Sequence, residues 1–417
     1  MLRLCARGIS FKPYRSLRNL SYSRPLRLPR DVSQQLKPSG PTAPIEFEGT
    51  FAKSVKPTIR NQVLFFALGS TSILLYSAWA TNLDTAVVLE KLQAQSTIWQ
   101  AQSISNRDLR RFQQSELVQQ LRSTYKYLAT QASEIPQVIR PYITTIYLSV
   151  FQPYADASDG RRLCWKICML NAGIWFMWQF QRLQPMMTRS FIHHPLSGLS
   201  YTLLTSTFSH ASFLHLAFNC LALEGFGSAA STYLRQSQEK QDPSQLESTS
   251  AYHFMTFFAS AGIFASLVSH IASARIRYPK LVAQLTSPAS KPPVTETWAS
   301  AVAAAASSTT RSTASSSAAA AAKAVSIPGS LGASGAVYSC VTLVALAYPG
   351  SQISLIFPPM MPIDIQTGVM GLVALDMFGI YRGWRMFDHW AHLGGAAFGA
   401  MYYYCGPRIW SSTRGVV

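Results

Sequence analysis

Four polar residues stand in otherwise apolar stretches, namely Ser334, His392, His215 and Asn219. An acyl-transfer site requires residues of these types. Ser334 stands in a Gly-Ala-Ser-Gly sequence at residues 332–335, directly before an apolar run. His215 and Asn219 are four residues apart, a spacing that places them on one face of a helix. Polar side chains are costly inside an apolar bundle unless they meet partners there. The four residues therefore indicate a shared site between helices.

Hydrolysis of a peptide bond by a serine needs a base that takes the hydroxyl proton and donors that hold the tetrahedral oxyanion. We predict that Ser334 is the nucleophile and His392 is the base. The predicted oxyanion donors are His215, Asn219 and the backbone N–H of Ser334, since N–H groups at a helix start are unpaired and lie at the positive end of the helix dipole. Taken singly, Ser334 could cap an ordinary helix, and His215 with Asn219 could bond neighbouring helices.

Tyr338 and His210 are predicted to support this site. Tyr338 follows Ser334 by one helical turn, so its ring could stack on His392 and orient the imidazole. Packing alone explains an aromatic residue at this position equally well. His210 precedes His215 by five residues, and we predict it at the mouth of the same helix, as a secondary donor or a residue that binds water.

Glycines flank both predicted catalytic residues. Gly332 and Gly335 surround Ser334 and allow the turn that starts its helix. Gly395 and Gly399 continue from Ala391 at intervals of four residues, and such a stripe of small residues lets another helix approach closely. Because His392 lies at the edge of this stripe, the helix that carries the serine could pack within bonding distance of its ring.

Asp388 precedes His392 by four residues, so it could complete a catalytic triad or cap the start of the helix. Its position at the helix start favours the cap, and the predicted catalytic group is a Ser-His dyad. His389, the next residue, is predicted to face solvent or lipid headgroups. A zinc protease is not favoured, because the sequence has no HExxH motif and no carboxylate that is well placed beside the histidines to ligate a metal with them. Neither a metal nor another cofactor is predicted.

The composition is that of a membrane protein with several helices. Of the 417 residues, 48% are hydrophobic and 13% are charged, and the charges cluster so that long uncharged stretches remain. We predict an all-α polytopic fold with one extra N-terminal transmembrane helix before a six-helix core. The predicted extra helix is residues 62–82, and the predicted core spans are residues 163–180, 203–225, 252–274, 334–348, 365–381 and 389–405.

The remaining stretches are predicted to connect these spans. Residues 31–61 are predicted to be flexible, 83–162 to form a polar or interfacial linker, and 406–417 to form a tail. Residues 276–330 separate core helices 1–3 (163–275) from core helices 4–6 (331–405). They form a low-complexity insertion, and its Ala/Ser/Thr tract is predicted to be a disordered or partly helical loop.

Residues 1–30 contain eight basic residues and no acidic one, which is typical of a mitochondrial transit peptide. A basic disordered tail is the alternative. This region supplies +8 of the net charge of +18, so the basicity is local and nucleic-acid binding is not predicted. Lys53, Lys56 and Arg60 precede the extra helix. If the compartment is mitochondrial, the positive-inside rule places that end in the matrix.

The motifs together resemble those of the rhomboid intramembrane serine proteases. The H-x3-N pair of His215 and Asn219, the GxSG motif at Ser334 and the AHxGGxxxG motif at His392 occur in the family's order. The basic N-terminus, the extra span and the sequence Phe-Asp-His-Trp-Ala-His-Leu-Gly-Gly at residues 387–395 are similar to the mitochondrial, presenilin-associated rhomboid-like branch.

This resemblance implies a Ser334–His392 dyad in a water-filled cavity within the bilayer of the mitochondrial inner membrane. It implies that the substrates are membrane proteins with transmembrane segments, cut near the ends of those segments. The loop at residues 381–387 is implied to belong to a cap or gate. One span before six core helices puts the two termini on opposite sides, but basic residues flank both sides of the core, so either orientation of the active-site mouth stays open.

Two other functions are consistent with parts of the sequence. A catalytically silent rhomboid-like binder would retain membrane clients, but such a protein usually lacks the serine or the histidine, and Ser334 and His392 are both present. A channel or transporter would also carry polar residues at mid-membrane depth, but no internal repeat is apparent. A fluorophosphonate probe separates these alternatives, since only an activated serine reacts with it.

Overall fold

The computed structural model describes residues 56–95, 104–286, 327–354 and 361–417, and these residues are almost entirely helical. The helices are α1 (Arg60–Gln95), α2 (Asn106–Ala132), α3 (Arg140–Asp156), α4 (Asp159–Met177), α5 (Gln184–Phe191), α6 (Thr202–Thr205), α7 (Phe213–Ala222), α8 (Ser228–Gln241), α9 (Ala251–Ala272), α10 (Tyr278–Thr286), α11 (Ser334–Ala347), α12 (Ile365–Arg382) and α13 (His389–Arg414). The predicted transit peptide and the Ala/Ser/Thr tract lie outside the described residues.

Helix α9 is the centre of the bundle. It packs against α1, α11 and α13, and most of its residues are buried, including Phe254, Phe257 and Phe258. A helix that is apolar on all sides is stable only when other helices surround it. Helices α11 and α13 both pack against α9 and also contact each other. This arrangement positions the predicted catalytic residues.

Two helical segments in the described part of the chain are long and apolar enough to cross a membrane, namely Arg60–Gln95 and Ala251–Gln284. Helix α11 is also apolar but has only 14 residues. The structure is thus that of an all-α protein with membrane-spanning character, and the arrangement of one plus six spans stays a prediction.

Helix α1 extends well past the predicted apolar span and is tied to the bundle at Asn82. It has 36 residues, because the residues after Asn82 include good helix formers such as Leu, Glu, Lys and Gln. The amide of Asn82 donates to the backbone oxygen of Arg414 at 2.9 Å and accepts from the guanidinium of the same residue at 2.9 Å. The first part of the predicted linker is therefore helical and anchored.

The predicted span 203–225 is not one continuous helix. Helix α6 passes into a 3-10 turn at Ser206–Phe208, residues 209–212 are not helical, and α7 then starts at Phe213. The hydroxyl of Ser212 caps α7 by accepting from the N–H of His215 at 3.2 Å. Serine hydroxyls compete with backbone hydrogen bonding in this way, so an apolar pattern alone predicted too long a helix.

The first residues of the predicted insertion, 276–330, are helical in the structure. Helix α9 continues through a π-helical turn at Ser273–Arg277 into α10, which extends to Thr286. At the other end, Ser330 pairs with His193 through two backbone hydrogen bonds of 2.9 Å. The residues at both ends of the segment 276–330 are therefore part of the ordered fold.

The starts of α11, α12 and α13 lie at Ser334, Ile365 and His389, as predicted. Helix α13 continues through the predicted tail to Arg414. Between α11 and α12, strands β1 (Gln352–Ile353) and β2 (Ile363–Asp364) pair antiparallel. This short hairpin-like pairing leads the chain back to the start of α12.

Helices α11 and α13 pack with almost no side chain between them. A Cβ on Gly399 would lie 2.4 Å from the carbonyl oxygen of Ser339, a distance that real Cβ atoms do not reach. The hydroxyl of Ser339 in turn donates to the carbonyl oxygen of Gly395 at 2.8 Å. The predicted stripe of small residues on α13 thus faces the helix that begins with Ser334.

Candidate active site

Ser334 and His392 lie at the starts of the two closely packed helices. Ser334 is the first residue of α11, and His392 is in the first turn of α13. The hydroxyl Oγ of Ser334 is 2.9 Å from Nε2 of His392, although 58 positions separate the residues in sequence. This is hydrogen-bond distance for a nucleophile and its base.

Tyr338 lies one turn below Ser334 and stacks on the imidazole of His392. The ring centroids are 5.0 Å apart and the ring planes differ by 12°. The phenol hydroxyl of Tyr338 donates to Oδ2 of Asp376 at 2.6 Å. The tyrosine therefore contacts the histidine with its face and a buried carboxylate with its hydroxyl.

Asp376 on α12 is a residue of this site that the sequence analysis missed. Its side chain is buried, and Oδ1 accepts from Nδ1 of His392 at 3.1 Å and from Nδ1 of His389 at 2.6 Å. The expectation that no carboxylate accompanies the histidines is therefore wrong. One available signal was an acid in the middle of an apolar helix, which by itself indicates a functional position in a membrane protein.

His389 is also placed differently from the prediction. It was expected to face solvent or lipid headgroups, yet it is 3% exposed and hydrogen-bonded to Asp376. The reason is the packing of α12 against α13, which turns the first residue of α13 inward. Its ring lies against Gly379 of α12, where a Cβ would be 2.5 Å from the imidazole.

Asp388 has the capping role that the sequence favoured. Its carboxylate accepts from the N–H of Ala391 at 3.4 Å and from the hydroxyl of Ser269. Its backbone carbonyl, and not its side chain, bonds to His392. The acid nearest in sequence thus holds the helix start, and the acid bonded to the imidazole comes from another helix.

The predicted oxyanion residues lie on α7 and at the start of α11. Nδ2 of Asn219 donates to the backbone oxygen of His215 at 2.8 Å. The ring of His210 packs edge-on against His215 with centroids 5.0 Å apart, and its Nε2 accepts from the N–H of Ala333 at 3.4 Å. These contacts link the helix of His215 to the turn that precedes the serine.

Gly332 and Gly335 shape that turn. Gly332 has a φ of +129°, which side chains rarely adopt, and its N–H donates to the backbone oxygen of Ser206 at 2.9 Å. Gly335 is buried, and its carbonyl oxygen faces Gly395 of α13. The two glycines therefore set the path by which the chain enters α11.

One cavity brings the predicted groups together. It has a volume of about 1120 Å³, and Ser334, His392, His215 and Asn219 all line it. Trp384, Met386 and Phe387, from the loop before α13, line its other side. Four residues from three helices thus line one cavity with room for a peptide segment.

Asp376, His389 and His392 are also the residues in the described part of the chain that could hold a metal ion. One donor atom from each lies within 4.8 Å of the others. Both imidazole Nδ1 atoms point at the same carboxylate oxygen. Hydrogen bonds from both imidazoles to the carboxylate account for this convergence.

Comparison with known proteins matches the region of the chain that contains these site residues. A sequence model of the rhomboid domain matches residues 197–285 and 294–408. The presenilin-associated rhomboid-like protein, mitochondrial, of Homo sapiens is 28% identical over 264 residues, which is 63% of this chain and 53% of that protein. Rhomboid protein 1, mitochondrial, of Saccharomyces cerevisiae is 24% identical over 234 residues, covering 55% of this chain and 48% of that protein.

The chain spans about half the length of the curated relatives it matches. No solved structure matches it significantly. The matched rhomboid domain includes α7, α9, α11 and α12, and most of α13, which are the elements that surround the cavity. The chain belongs to the rhomboid family.

Proposed function

We propose that this protein is a serine endopeptidase of the mitochondrial inner membrane that cuts transmembrane segments of other membrane proteins. The single observation that carries the proposal is the 2.9 Å distance between Ser334 Oγ and His392 Nε2, in a cavity that His215 and Asn219 also line. Membership of the rhomboid family supports an intramembrane reaction, and the mitochondrial names of the relatives support the compartment.

The proposed topology has seven crossings. Helix α1 is the extra span, and α4, the α7–α8 segment, α9, α11, α12 and α13 are the six core spans. Helices α2 and α3 are then the polar and interfacial connection between α1 and the core. In this arrangement the cavity opens between core helices, where a substrate helix arrives from the bilayer.

Catalysis starts when Ser334 attacks the carbonyl carbon of the scissile peptide bond while its hydroxyl proton passes to Nε2 of His392. The tetrahedral intermediate collapses when the imidazolium returns this proton to the leaving amine, and an acyl-enzyme remains. Water then attacks the ester with the same imidazole as base, so that the acid product leaves and the hydroxyl of Ser334 is restored.

The negative charge of the intermediate needs hydrogen-bond donors. His215, the second N–H of the Asn219 amide and the backbone N–H of Ser334 are the proposed donors, because all three residues line the cavity around the serine. Each such donor contributes about 3–4 kcal/mol of transition-state stabilisation in a preorganised site. The positive end of the α11 dipole adds to this field.

The loop before α13, predicted as residues 381–387 and non-helical at residues 383–388 in the structure, is the proposed gate for substrate. Met386 is 84% exposed and Phe387 is 56% exposed, yet both line the cavity. The ring of Phe387 lies 6.2 Å from that of His392. An apolar loop in this position limits access to the serine, and its displacement would admit a transmembrane helix.

Substitution of the serine tests the proposal. The full-length chain and its Ser334→Ala variant are reconstituted in vesicles and treated with a fluorophosphonate probe, and inner-membrane protein termini are compared by mass spectrometry in cells that carry each form. Ser412→Ala is the matched control, because Ser412 is an exposed serine on the helix that carries His392. With the Ser412→Ala control we expect labelling of the protein by the probe and new termini of inner-membrane proteins. With Ser334→Ala we expect neither.

Labelling of Ser334→Ala at the rate of the unaltered chain would contradict the nucleophile assignment. Binding of membrane clients without labelling or new termini in the unaltered chain would instead identify a catalytically silent rhomboid-like binder.

A further inference from the structure

Three hydrogen-bond donors converge on the carboxylate of Asp376 behind the catalytic histidine. Nδ1 of His392 lies 3.1 Å from Oδ1, and the hydroxyl of Tyr338 lies 2.6 Å from Oδ2. Nδ1 of His389 is the third, 2.6 Å from Oδ1. The carboxylate is 5% exposed, and three donors supply the hydrogen bonds that a buried carboxylate needs.

We propose that Asp376 is the positioning residue of the catalytic histidine, so that the working group is Ser334–His392–Asp376 and not a dyad. This inference rests on the proposed protease function and adds to it a residue that acts through His392. The nearest acid in sequence, Asp388, is occupied at the helix cap. Among the described residues, Asp376 is the carboxylate bonded to the imidazole of His392.

The hydrogen bond fixes which imidazole nitrogen carries the proton. An ionised carboxylate only accepts hydrogen bonds, so Nδ1 of His392 donates to Asp376. Nε2 is then the unprotonated nitrogen, and its lone pair faces the hydroxyl of Ser334 at 2.9 Å. This is the tautomer that can act as a base toward the serine.

The carboxylate also acts when the proton has moved. His392 becomes an imidazolium in the tetrahedral step, and a negative charge 3.1 Å from its Nδ1 stabilises that cation more strongly in a buried site than in water. Asp376 does not itself need to accept the proton. Its effect is on the rate of the chemical step rather than on the affinity for a substrate.

Tyr338 and His389 hold the carboxylate in place. The tyrosine reaches Asp376 from α11, and the histidine reaches it from α13, so α12 is joined to both catalytic helices at one carboxylate. The ring of Tyr338 simultaneously stacks on His392. The orientation of the imidazole is therefore determined by a stack on one side and by a hydrogen bond at Nδ1.

The test compares Asp376→Asn and Asp376→Glu with Asp364→Asn in the full-length chain in vesicles. Asp364 is an exposed aspartate at the start of the same helix, so its substitution controls for loss of one negative charge from α12. The measured quantities are kinact and KI for a fluorophosphonate probe, together with the thermal unfolding midpoint of each variant.

We expect Asp376→Asn to lower kinact by about 10²–10⁴-fold with KI nearly unchanged, because an amide favours the wrong imidazole tautomer and carries no charge. Asp376→Glu keeps the charge and should recover part of this loss, and Asp364→Asn should react like the unaltered chain. A purely structural role would instead lower the unfolding midpoint and affect Asn and Glu variants alike.

Two outcomes overturn the inference. One is a kinact of folded Asp376→Asn within about threefold of the unaltered chain. The other is a Glu variant no faster than the Asn variant when both are folded. If Ser334→Ala reacts normally with the probe, the protease proposal itself fails, and that result is separate from either outcome at Asp376.

Discussion

Gly332 lies directly against the imidazole of His215. A Cβ on this glycine would be 2.7 Å from Cε1 of the ring, and its backbone has a φ of +129°. The turn before the serine and the side chain of the predicted oxyanion donor therefore occupy one shared space, and the absence of a side chain at residue 332 makes this possible.

Gly332→Ala is expected to displace His215 and lower the reactivity of Ser334. The new methyl group meets the imidazole, and the backbone conformation adds strain of about 1–3 kcal/mol. Fluorophosphonate labelling should fall by about 10-fold or more, since it depends on the position of a donor. Gly198→Ala is the matched control, because Gly198 also has a positive φ, +69°, but nothing lies within 4 Å of its Cβ position. Equal labelling of both variants would contradict this prediction.

Gly395→Ala is expected to separate helices α11 and α13. A Cβ at residue 395 would lie 2.1 Å from the carbonyl oxygen of Gly335, so α11 and α13 must move apart and the Ser334–His392 hydrogen bond must lengthen. A small misplacement of reacting groups costs about 10²-fold in rate. Labelling kinetics of the variant in vesicles measure this loss.

Gly371→Ala on α12 is the control for helix propensity in that experiment. Nothing lies within 4 Å of its Cβ position, and alanine is the better helix former by about 1 kcal/mol. We expect unchanged labelling and an equal or higher unfolding midpoint. If the Gly395→Ala variant also showed unchanged labelling, close contact between α11 and α13 at residue 395 would not be required for the reactivity of Ser334.

His215→Ala is expected to lower kcat without a comparable change in KM. The imidazole lines the cavity beside Ser334, and loss of one oxyanion donor lowers kcat by about 10²–10³-fold. The measurement is the cleavage rate of a transmembrane substrate found by the comparison of protein termini. His215→Gln, which retains a side-chain donor, should be the more active variant, and a change confined to KM would argue for a binding role instead.

Glu247→Ala is expected to destabilise the attachment of α1. Glu247 is fully buried and accepts from the guanidinium of Arg414 at 3.0 Å, and Arg414 in turn bonds to Asn82 of α1. Removal of one partner of a buried ion pair leaves an uncompensated charge and costs about 3–5 kcal/mol. Thermal unfolding in detergent measures the effect, with Arg408→Ala, an exposed arginine on α13, as the control. An unchanged midpoint for Glu247→Ala would show that the pair contributes no net stability.

The all-helical character of the chain and the starts of three helices could be predicted because they follow from local patterns. Apolar runs predicted the starts of α11, α12 and α13, since a helix start depends on nearby residues. The small-residue stripe at Gly395 and Gly399 predicted a close helix contact, because small side chains let another helix approach. The break in the helix at residues 209–212 was not predicted. The prediction was based on the apolar character of the stretch, which does not reveal serine hydroxyls that compete with backbone hydrogen bonds.

The sequence by itself determined that Ser334, His392, His215 and Asn219 are the residues to consider, since each of their motifs is short and its residues are neighbours in the chain. Only the tertiary structure decided which acid is hydrogen-bonded to the imidazole of His392. Asp388 is close to His392 in sequence and caps the helix, whereas Asp376 is 16 positions away and reaches the ring through the packing of α12 against α13. The physical reason is that hydrogen bonds between helices depend on how the helices pack, and no local pattern in a sequence encodes that relative position.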